Sequence, residues 1–514
     1  MNFPILSALI FLPAAGGLAG TLFPRSAARM WALGVSAIEL ILAVYAGFQF
    51  TASGAVQFTE AQPWIPGLGL NYTLGADGVS VFLVILTALL TFTAISVSAE
   101  VSQNSDKPRL FYFLMLFLAT GIQGVFLAQN AFLFYVFWEV MLVPAYLLVG
   151  TFGGPRRTYA AIKFVLYTAV GSLLMLAGVI GLNAAVSGGT GMSFAQLAGH
   201  VPANAQLILF LAFAAAFAVK SPLFPFHSWA PDAYTEAPAP VTVMLAGAMS
   251  KTGVYGFLRF GAAIFPQAAK QAAPYIAVLA VIGILYSAVQ ALTQSDMKRL
   301  LAYSSISHMN VIILGIFALN TFGLEGSVLQ MLNHGVTTGA LFIIAGYIES
   351  RYATRSLRRF GGMARQTPVL AVVFCIAALS SLGLPGLNSF SGEFLTLLGA
   401  FQANAVLGAL ATLVIIPAAW YMLQFFQGVM EGPESDIIAQ PNGTAAARAK
   451  SADISFAALL PMLLLIALML YIGLAPAFLP DRIGPTLTQF TALSGQFHAS
   501  GLRIIQIMGR QSAL

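Results

Sequence analysis

The chain has 514 residues, of which 59% are hydrophobic and only 8% charged, with a mean hydropathy of +0.86. Soluble domains carry about 25% charged residues, so this is a polytopic membrane protein rather than a soluble one. The net charge of +6 comes from basic residues at segment ends and forms no stripe, which argues against nucleic acid as a partner. The single cysteine, Cys375, can form neither an internal disulfide nor a thiolate cluster and reads as a small apolar filler.

Apolar runs of about 20 residues, bounded by charge or by Gly and Pro, predict about fourteen spanning helices. In chain order they fall near 3–23, 29–50, 78–99, 110–129, 131–152, 160–183, 206–229, 239–264, 274–293, 299–320, 326–350, 368–401, 404–429 and 455–479. The first lacks a basic segment before it and reads as a retained helix, not a cleaved signal. Residues 51–77 alternate and contain turn residues, which predicts a short hairpin. Residues 430–454 read as a flexible connector. Residues 480–514 predict an amphipathic helix at the interface or against a partner, with a frayed tail as the alternative.

If the N-terminus is outside and the helices alternate, fifteen Lys and Arg fall in inside loops and four, Lys270, Arg482, Arg503 and Arg510, fall outside. Arg448 and Lys450 of the connector are among the fifteen. An error of one helix in the middle would erase this bias, so it supports the helix count and puts both termini on the outer side.

Helix seven is interrupted by Pro222 and Pro225, and helix twelve by Pro385. They lie five helices apart, and because five is odd, successive five-helix units insert with opposite topology, as in many transporters. `AVGSLLMLAG` at 169–178 and `TTGALFIIAG` at 337–346 give a faint internal repeat. The expected fold is all-α and polytopic, with two inverted five-helix repeats and discontinuous helices 7 and 12. Residues 1–109 would hold the first three helices and the hairpin, 110–264 the first repeat and 274–429 the second. Residues 430–514 would hold the inner connector, helix 14 and the outer-face tail.

Charged residues deep in these spans need a reason, because a charge at the bilayer centre costs roughly 2.5–3.5 kcal/mol even on the gentlest insertion scale. Lys220 precedes the first break, Glu393 follows the second, and Lys251 and Glu139 are central in their own spans. Pro222, Pro225 and Pro385 should free the carbonyls of Ala218, Ser221 and Ser381, which survive at that depth only where they line a polar cavity. A simple proline kink is the alternative. Ser221, Ser228, Ser380, Ser381, Asn388, Ser389 and Ser391 add polar groups around the breaks. Glu139 matches Lys220 in depth and opposes it in charge, which predicts a switchable pair, or else a static one that fixes packing.

His227 lies between Lys220 and Lys251 in sequence, and His308 and His334 sit on later helices. Each could be an ordinary hydrogen-bonding histidine; beside buried Lys and Glu they read as proton-relay stations. Their spacing does not suit a metal. Lys163, Arg259 and Glu349 lie near helix ends, Asp232 and Glu236 could gather protons or be solvated, and Glu39 has no evident role. A Gly-rich phosphate loop, a cysteine cluster and paired haem histidines are all missing from the sequence.

The stretches `FYVFWEVMLVPAYLL`, `AVKSPLFPFHSWAPDAYTEAPAPVTVMLAGAMSKTGVYG`, `DMKRLLAYSSISHMN`, `LNHGVTTGALFIIAG` and `GLPGLNSFSGEF` resemble the antiporter-like membrane subunits of respiratory complex I. Related multisubunit cation/proton antiporters and membrane-bound hydrogenases share them with variation. The likeness covers roughly residues 70–430. Glu393 in `SGEF`, and the expectation of no long lateral helix after helix 14, resemble the subunit M type, the counterpart of mitochondrial chain 4.

The resemblance implies a proton-translocating, non-redox subunit of an NADH:quinone oxidoreductase, or alternatively a subunit of a multisubunit sodium/proton antiporter. Glu139 would be the pairing glutamate and Lys220 the central lysine of the first half-channel. Lys251, His334, His227 and His308 would lie on the polar axis, and Glu393 would open to the outer face. The resemblance implies no cofactor in this chain. NADH, flavin, iron–sulphur clusters and quinone would belong to partner subunits, with other membrane subunits on both flanks and lipid around them. The location implied is a bacterial cytoplasmic membrane, or alternatively the mitochondrial inner membrane.

Overall fold

The computed structural model of the protein describes residues 3–65, 70–186, 192–439 and 453–493. Part of the connector, with Arg448 and Lys450, and residues 494–514, with Arg503 and Arg510, lie outside the described residues.

The helices follow the apolar runs closely. In chain order they are α1 (Ile5–Gly20), α2 (Ala28–Gln49), α3 (Ser80–Ser96), α4 (Pro108–Leu127), α5 (Ala131–Phe152) and α6 (Arg157–Ala185). Helix seven is two pieces, α7a (Ala203–Lys220) and α7b (Trp229–Glu236). Then come α8 (Ala239–Ile264), α9 (Pro266–Leu292), α10 (Met297–Phe317) and α11 (Thr321–Tyr352). Helix twelve is also two pieces, α12a (Pro368–Ser381) and α12b (Asn388–Ala403). The last are α13 (Ala405–Met430), α14 (Phe456–Leu474) and α15 (Pro480–Leu493). Among the described residues eleven helices are long and apolar enough to cross a membrane, and three shorter apolar ones, α1, α3 and α12a, bring the set to the fourteen expected.

Local chemistry sets the ends. Asn130, Asp296, Asn320 and Asn404 each accept backbone N–H groups in the first turn of α5, α10, α11 and α13, satisfying donors a helix start leaves open. The Asn320 cap starts α11 at Thr321, earlier than 326. Pro266, at the first position of α9, starts that helix well before 274.

The hairpin is present. β1 (Gln57–Ile65) pairs antiparallel with β2 (Leu70–Ala76), and Glu60 anchors it to α1 by accepting from Leu6 N at 2.8 Å. α15 packs on the same face of the molecule, where Gly78 N donates to Thr486 Oγ1 at 3.0 Å. The described part of the tail is thus a helix seated on its own chain. We call this the hairpin face and the opposite one the basic face.

Burial divides the helices. The apolar windows of α8, α10 and α11 are wholly enclosed by protein, whereas only about a third of those of α2, α13 and α14 is. The three enclosed helices carry Lys251, His308 and His334. Two stretches of α8, Leu245–Met249 and Phe257–Ile264, are wound as π-helix, on either side of Lys251. α11 lies directly on α12b, where the backbones approach at Gly323, Gly326 and Gly399. A Cβ on Gly399 would collide with the backbone of Gly323, while one on Gly34 of α2 would meet nothing within 4 Å. Gly399→Ala should therefore destabilise the protein by about 1–3 kcal/mol through overpacking, and Gly34→Ala should leave it at or above the parental stability. The thermal midpoint and yield of detergent-purified protein check this pair.

Candidate functional site

Both interruptions are sealed by polar side chains from enclosed helices. After Lys220 the chain turns through residues 221–228. The Ala218 carbonyl does not stay free as expected, because the amide of Leu223 reaches it at 2.9 Å. The Pro222 carbonyl instead accepts from Asn310 of α10 at 3.2 Å. Gly283 of α9 leaves room for that amide, since a Cβ there would collide with it. Trp229 Nε1 donates to the Val219 carbonyl at 2.9 Å and ties α7b back to α7a.

At the second break, Asn388 accepts from Ser380 Oγ at 2.6 Å, and Ser380 lies 2.8 Å from Thr337 Oγ1. Asn333 donates to the Asn388 carbonyl at 2.8 Å, and Asn388 returns a bond to the Asn333 carbonyl at 3.2 Å. Gln330 donates to Glu393 Oε1 at 3.0 Å. Gln330, Asn333, His334 and Thr337 recur at i, i+3, i+4 and i+7, so α11 presents one polar stripe to helix twelve.

Four of the expected site residues form a connected row. Lys251 Nζ lies 2.6 Å from His334 Nδ1 and donates to the Ala246 carbonyl at 2.6 Å, within the π-wound turn. The rings of His334 and His308 are 5.7 Å apart. His308 Nδ1 lies 2.6 Å from Glu393 Oε1. The Nε2 atoms of both histidines are buried and have no hydrogen-bond partner. Beside His308 and Glu393 is a cavity of about 10 Å³, lined also by Ser307, Ser381, Val414 and Ala418, which is room for about one water. α13 opens into a turn at Leu413–Val414 against this cavity, an interruption the sequence reading did not anticipate.

The other three expected residues lie elsewhere. Lys220 is buried with its ammonium 5.1 Å from the Trp138 ring and 5.9 Å from that of Phe164. Desolvated cation–π contacts are worth about 2 kcal/mol. Among the described residues no ion pair within 4.0 Å joins it to Glu139. Trp138, the neighbour of Glu139 in sequence, is the group in contact, and the Glu139 carboxylate acts on the ammonium from farther away. Glu139 Oε1 is buried without a hydrogen-bond partner. His227 stacks on Phe224 at 5.4 Å and meets the Tyr286 ring edge-on at 5.3 Å, because the turn after Lys220 swings it toward α9.

Asp232 and Glu236 are neither solvated nor free, and Lys163 does not snorkel. Lys163 pairs with Asp232 at 2.8 Å, and Arg299 pairs with it at 3.0 Å. Arg355 bridges Glu236 at 3.6 Å, Asp296 at 3.0 Å and Glu349 at 3.7 Å. This network clamps α7b to α10 and α11 on the basic face. Glu39 is fully buried and hydrogen-bonded by Gln123 of α4, away from the row. Asn310, Gln330, Asn333 and Thr337 were missed as site residues, although the α11 trio shares the helical spacing of His334.

The family of NADH:quinone oxidoreductase/Mrp antiporter transmembrane proteins matches residues 128–416. NADH-quinone oxidoreductase subunit M of Rickettsia prowazekii is 39% identical over 439 residues, covering 84% of this chain and 89% of the relative. The subunit of that name from Mycobacterium tuberculosis is 37% identical and covers 96% and 95%. Among solved structures, a chain of respiratory complex I from Thermus thermophilus with bound NADH superposes with a TM-score of 0.86 and is 34% identical. It covers 96% of this chain and 100% of its own. A chain of the Mrp complex from Dietzia shares the fold, with a TM-score of 0.82, 23% identity and coverage of 96% and 98%.

Asn388→Leu would remove the amide that accepts from Ser380 and donates to the Asn333 carbonyl, two buried bonds at about 0.5–1.5 kcal/mol each. It should lower the thermal midpoint far more than Ser391→Ala, whose hydroxyl bonds only the Asn388 carbonyl, at 3.0 Å. Calorimetry of the two purified variants checks the difference.

Proposed function

The chain belongs to the NADH:quinone oxidoreductase/Mrp antiporter family, within it to the subunit M type of NADH-quinone oxidoreductase, and we propose that Lys251, His334, His308 and Glu393 carry its protons from the end of the first repeat through the second. It is a proton-translocating, antiporter-like membrane subunit of a respiratory complex that is itself an enzyme. In the same proposal the redox chemistry, with NADH, flavin, iron–sulphur clusters and quinone, lies in other subunits. Neighbouring membrane subunits and lipid cover its exposed apolar flanks, such as Leu166, Val170 and Leu173 of α6 and Ile416 and Trp420 of α13. The two repeats run over 110–264 and 274–429, and the membrane is a bacterial cytoplasmic one. The basic face is inward and the hairpin face outward, a reading supported by the bias of Lys and Arg.

The observation that carries the proton path is the tautomer order along the row. His334 Nδ1 faces the Lys251 ammonium, so in the neutral ring it accepts and the proton sits on Nε2. His308 Nδ1 faces the Glu393 carboxylate, so it donates and Nε2 is the lone pair. A donor nitrogen on one ring is thereby matched with an acceptor nitrogen on the next, the ring centroids being 5.7 Å apart, and in this proposal a water or a ring rotation joins the two. A proton from Lys251 enters at His334 Nδ1, the Nε2 proton moves to His308, and the His308 Nδ1 proton moves to Glu393. Each ring ends with its proton on the other nitrogen and must flip to reset, which makes transfer stepwise.

Lys220 and Glu139 act upstream. Acting from beyond ion-pair distance, the carboxylate modulates the lysine's charge instead of fixing it in a tight pair, which suits a site that must switch.

Inside-out vesicles supplied with NADH and a quinone, in sodium-free buffer, test the reading with assembly assayed separately. Lys220→Ala and Glu139→Ala should lose most proton pumping, and Glu139→Asp should keep part of it. His334→Gln can still accept from Lys251 yet cannot pass a proton, so it should assemble and lose pumping, as should Glu393→Gln. Assembled Lys220→Ala or His334→Gln complex with the parental ratio of protons to electrons would overturn this path.

A further inference from the structure

α8 has a polar face that continues beyond Lys251 toward the hairpin face. Lys251, Tyr255 and Arg259 follow at i, i+4 and i+8 and share one side of the helix, spanning roughly 12 Å along its axis. The Tyr255 hydroxyl lies 2.9 Å from Arg259 Nη2 and 3.2 Å from its Nε, and donates to the Phe126 carbonyl at 3.1 Å. Unsealed, this face would offer Lys251 a direct way along α8 toward the hairpin face.

We propose that Arg259 and Asp77 form a seal that closes this direct route and so commits protons held at Lys251 to the sideways step onto His334. The inference rests on the proton path above. Arg259 is only 3% exposed and Asp77 1%, and they pair at 2.5 Å. Guanidinium cannot release its proton in a protein, so unlike Lys, His or Glu it is a chemical dead end for a relay. Its fixed positive charge also repels an approaching proton, as an arginine does in water-selective pores.

The seal is built from three elements that meet only here. Asp77 is held rigid because its Oδ1 accepts the first amides of α3, from Val79 at 3.0 Å and Ser80 at 2.9 Å. The guanidinium is enclosed by aromatic rings: Phe194 at 5.3 Å, Tyr255 at 5.4 Å and Phe490 of α15 at 5.1 Å. α15 is pinned over the pair through Thr486 and Gly78, and a Cβ on Gly78 would press on the Arg482 carbonyl at 2.5 Å. A helix that follows the last span and returns to cover one buried ion pair thus acquires a function. It keeps water off the outer end of α8.

The test is passive proton leak in vesicles holding the assembled complex, without NADH, where turnover plays no part. Asp77→Asn with Arg259→Gln keeps size and hydrogen bonding but removes both charges. Its leak should rise roughly tenfold, the equivalent of about 1.4 kcal/mol off the barrier to proton passage. Adding Lys251→Ala should return the leak to the parental rate, because the route runs through that lysine, and Arg259→Lys, which keeps the charge but can release its proton, should leak more than the parent. Parental leak in the assembled neutral pair, or a leak that survives Lys251→Ala, would overturn the seal. Should the neutral pair fail to assemble, Phe490→Ala leaves the charges and removes the cover; a raised leak supports the seal and a parental one overturns it. The pumping assay on Lys220→Ala and His334→Gln reads the path itself, so failure of the path and failure of the seal give different results.

Discussion

Everything distinctive in this fold follows from one constraint: a helix broken inside hydrocarbon must have its exposed backbone and its charges satisfied by other parts of the protein. The protein meets it with the helices that lipid never touches. α10 supplies Asn310 to the Pro222 carbonyl, and α11 supplies Asn333 to the Asn388 carbonyl. Because these two helices must lie against the breaks, they are enclosed. Because they are enclosed, their remaining polar side chains can only meet one another. The contacts of His308 with Glu393 and of His334 with Lys251 are therefore consequences of the same packing that stabilises the breaks. Site and scaffold share residues: Gln330, which orients Glu393, belongs to the stripe that seals Asn388.

The lysines illustrate how environment sets role. Lys251 is held by a carbonyl and a histidine, both neutral acceptors, so its proton has somewhere to go and no carboxylate to retain it. Lys298, on the basic face, reaches the Ala237 carbonyl at 2.6 Å and Glu349 at 3.5 Å, within a network of opposite charges. It behaves as a rivet. Lys220 lies between these extremes: its contacts are aromatic faces and its counter-charge is at a distance. A tight buried ion pair resists change, since separating it leaves two uncompensated charges. A cation balanced by ring quadrupoles and a remote carboxylate can alter its proton affinity through small movements of Trp138 or Glu139.

Much of this was legible in the sequence. Fourteen spans, two breaks and the residues of the row followed from apolar run length, proline position and the cost of buried charge. What failed did so for identifiable reasons. His227 follows Lys220 by seven positions along the chain, but the turn at 221–228 sets its ring against Phe224 and Tyr286, packing that sequence spacing does not announce. Asp232 and Glu236 looked like loop residues because α7b is short, and their cations come from α6, α10 and the segment after α11. Arg259 does lie near the end of α8, but nothing local to it announces Asp77, which is 182 positions away. Asn310 and Asn333 carried no signal of their own, since a lone Asn in a spanning helix has many uses. The stripe at Gln330, Asn333, His334 and Thr337 was visible in the helical period once α11 was placed.

The distribution of rigidity bears on how such a protein can switch at all. The basic face is cross-linked by Arg355 to three carboxylates and by Asp232 to several cations, and α3, α8 and α15 are joined at the hairpin face by one buried pair. Two of these links, Arg299 to Asp232 and Arg355 to Glu236, join the two repeats, and rocking of one repeat against the other would have to break them. The freedom that remains is local: two histidine rings with unpartnered nitrogens, π-wound turns that can shift a carbonyl, and a carboxylate beside a cavity for about one water. A carrier of bulky solutes needs large rearrangement. A carrier of protons needs only that a few hydrogen bonds change partner, and the fold confines its mobility to where those bonds are.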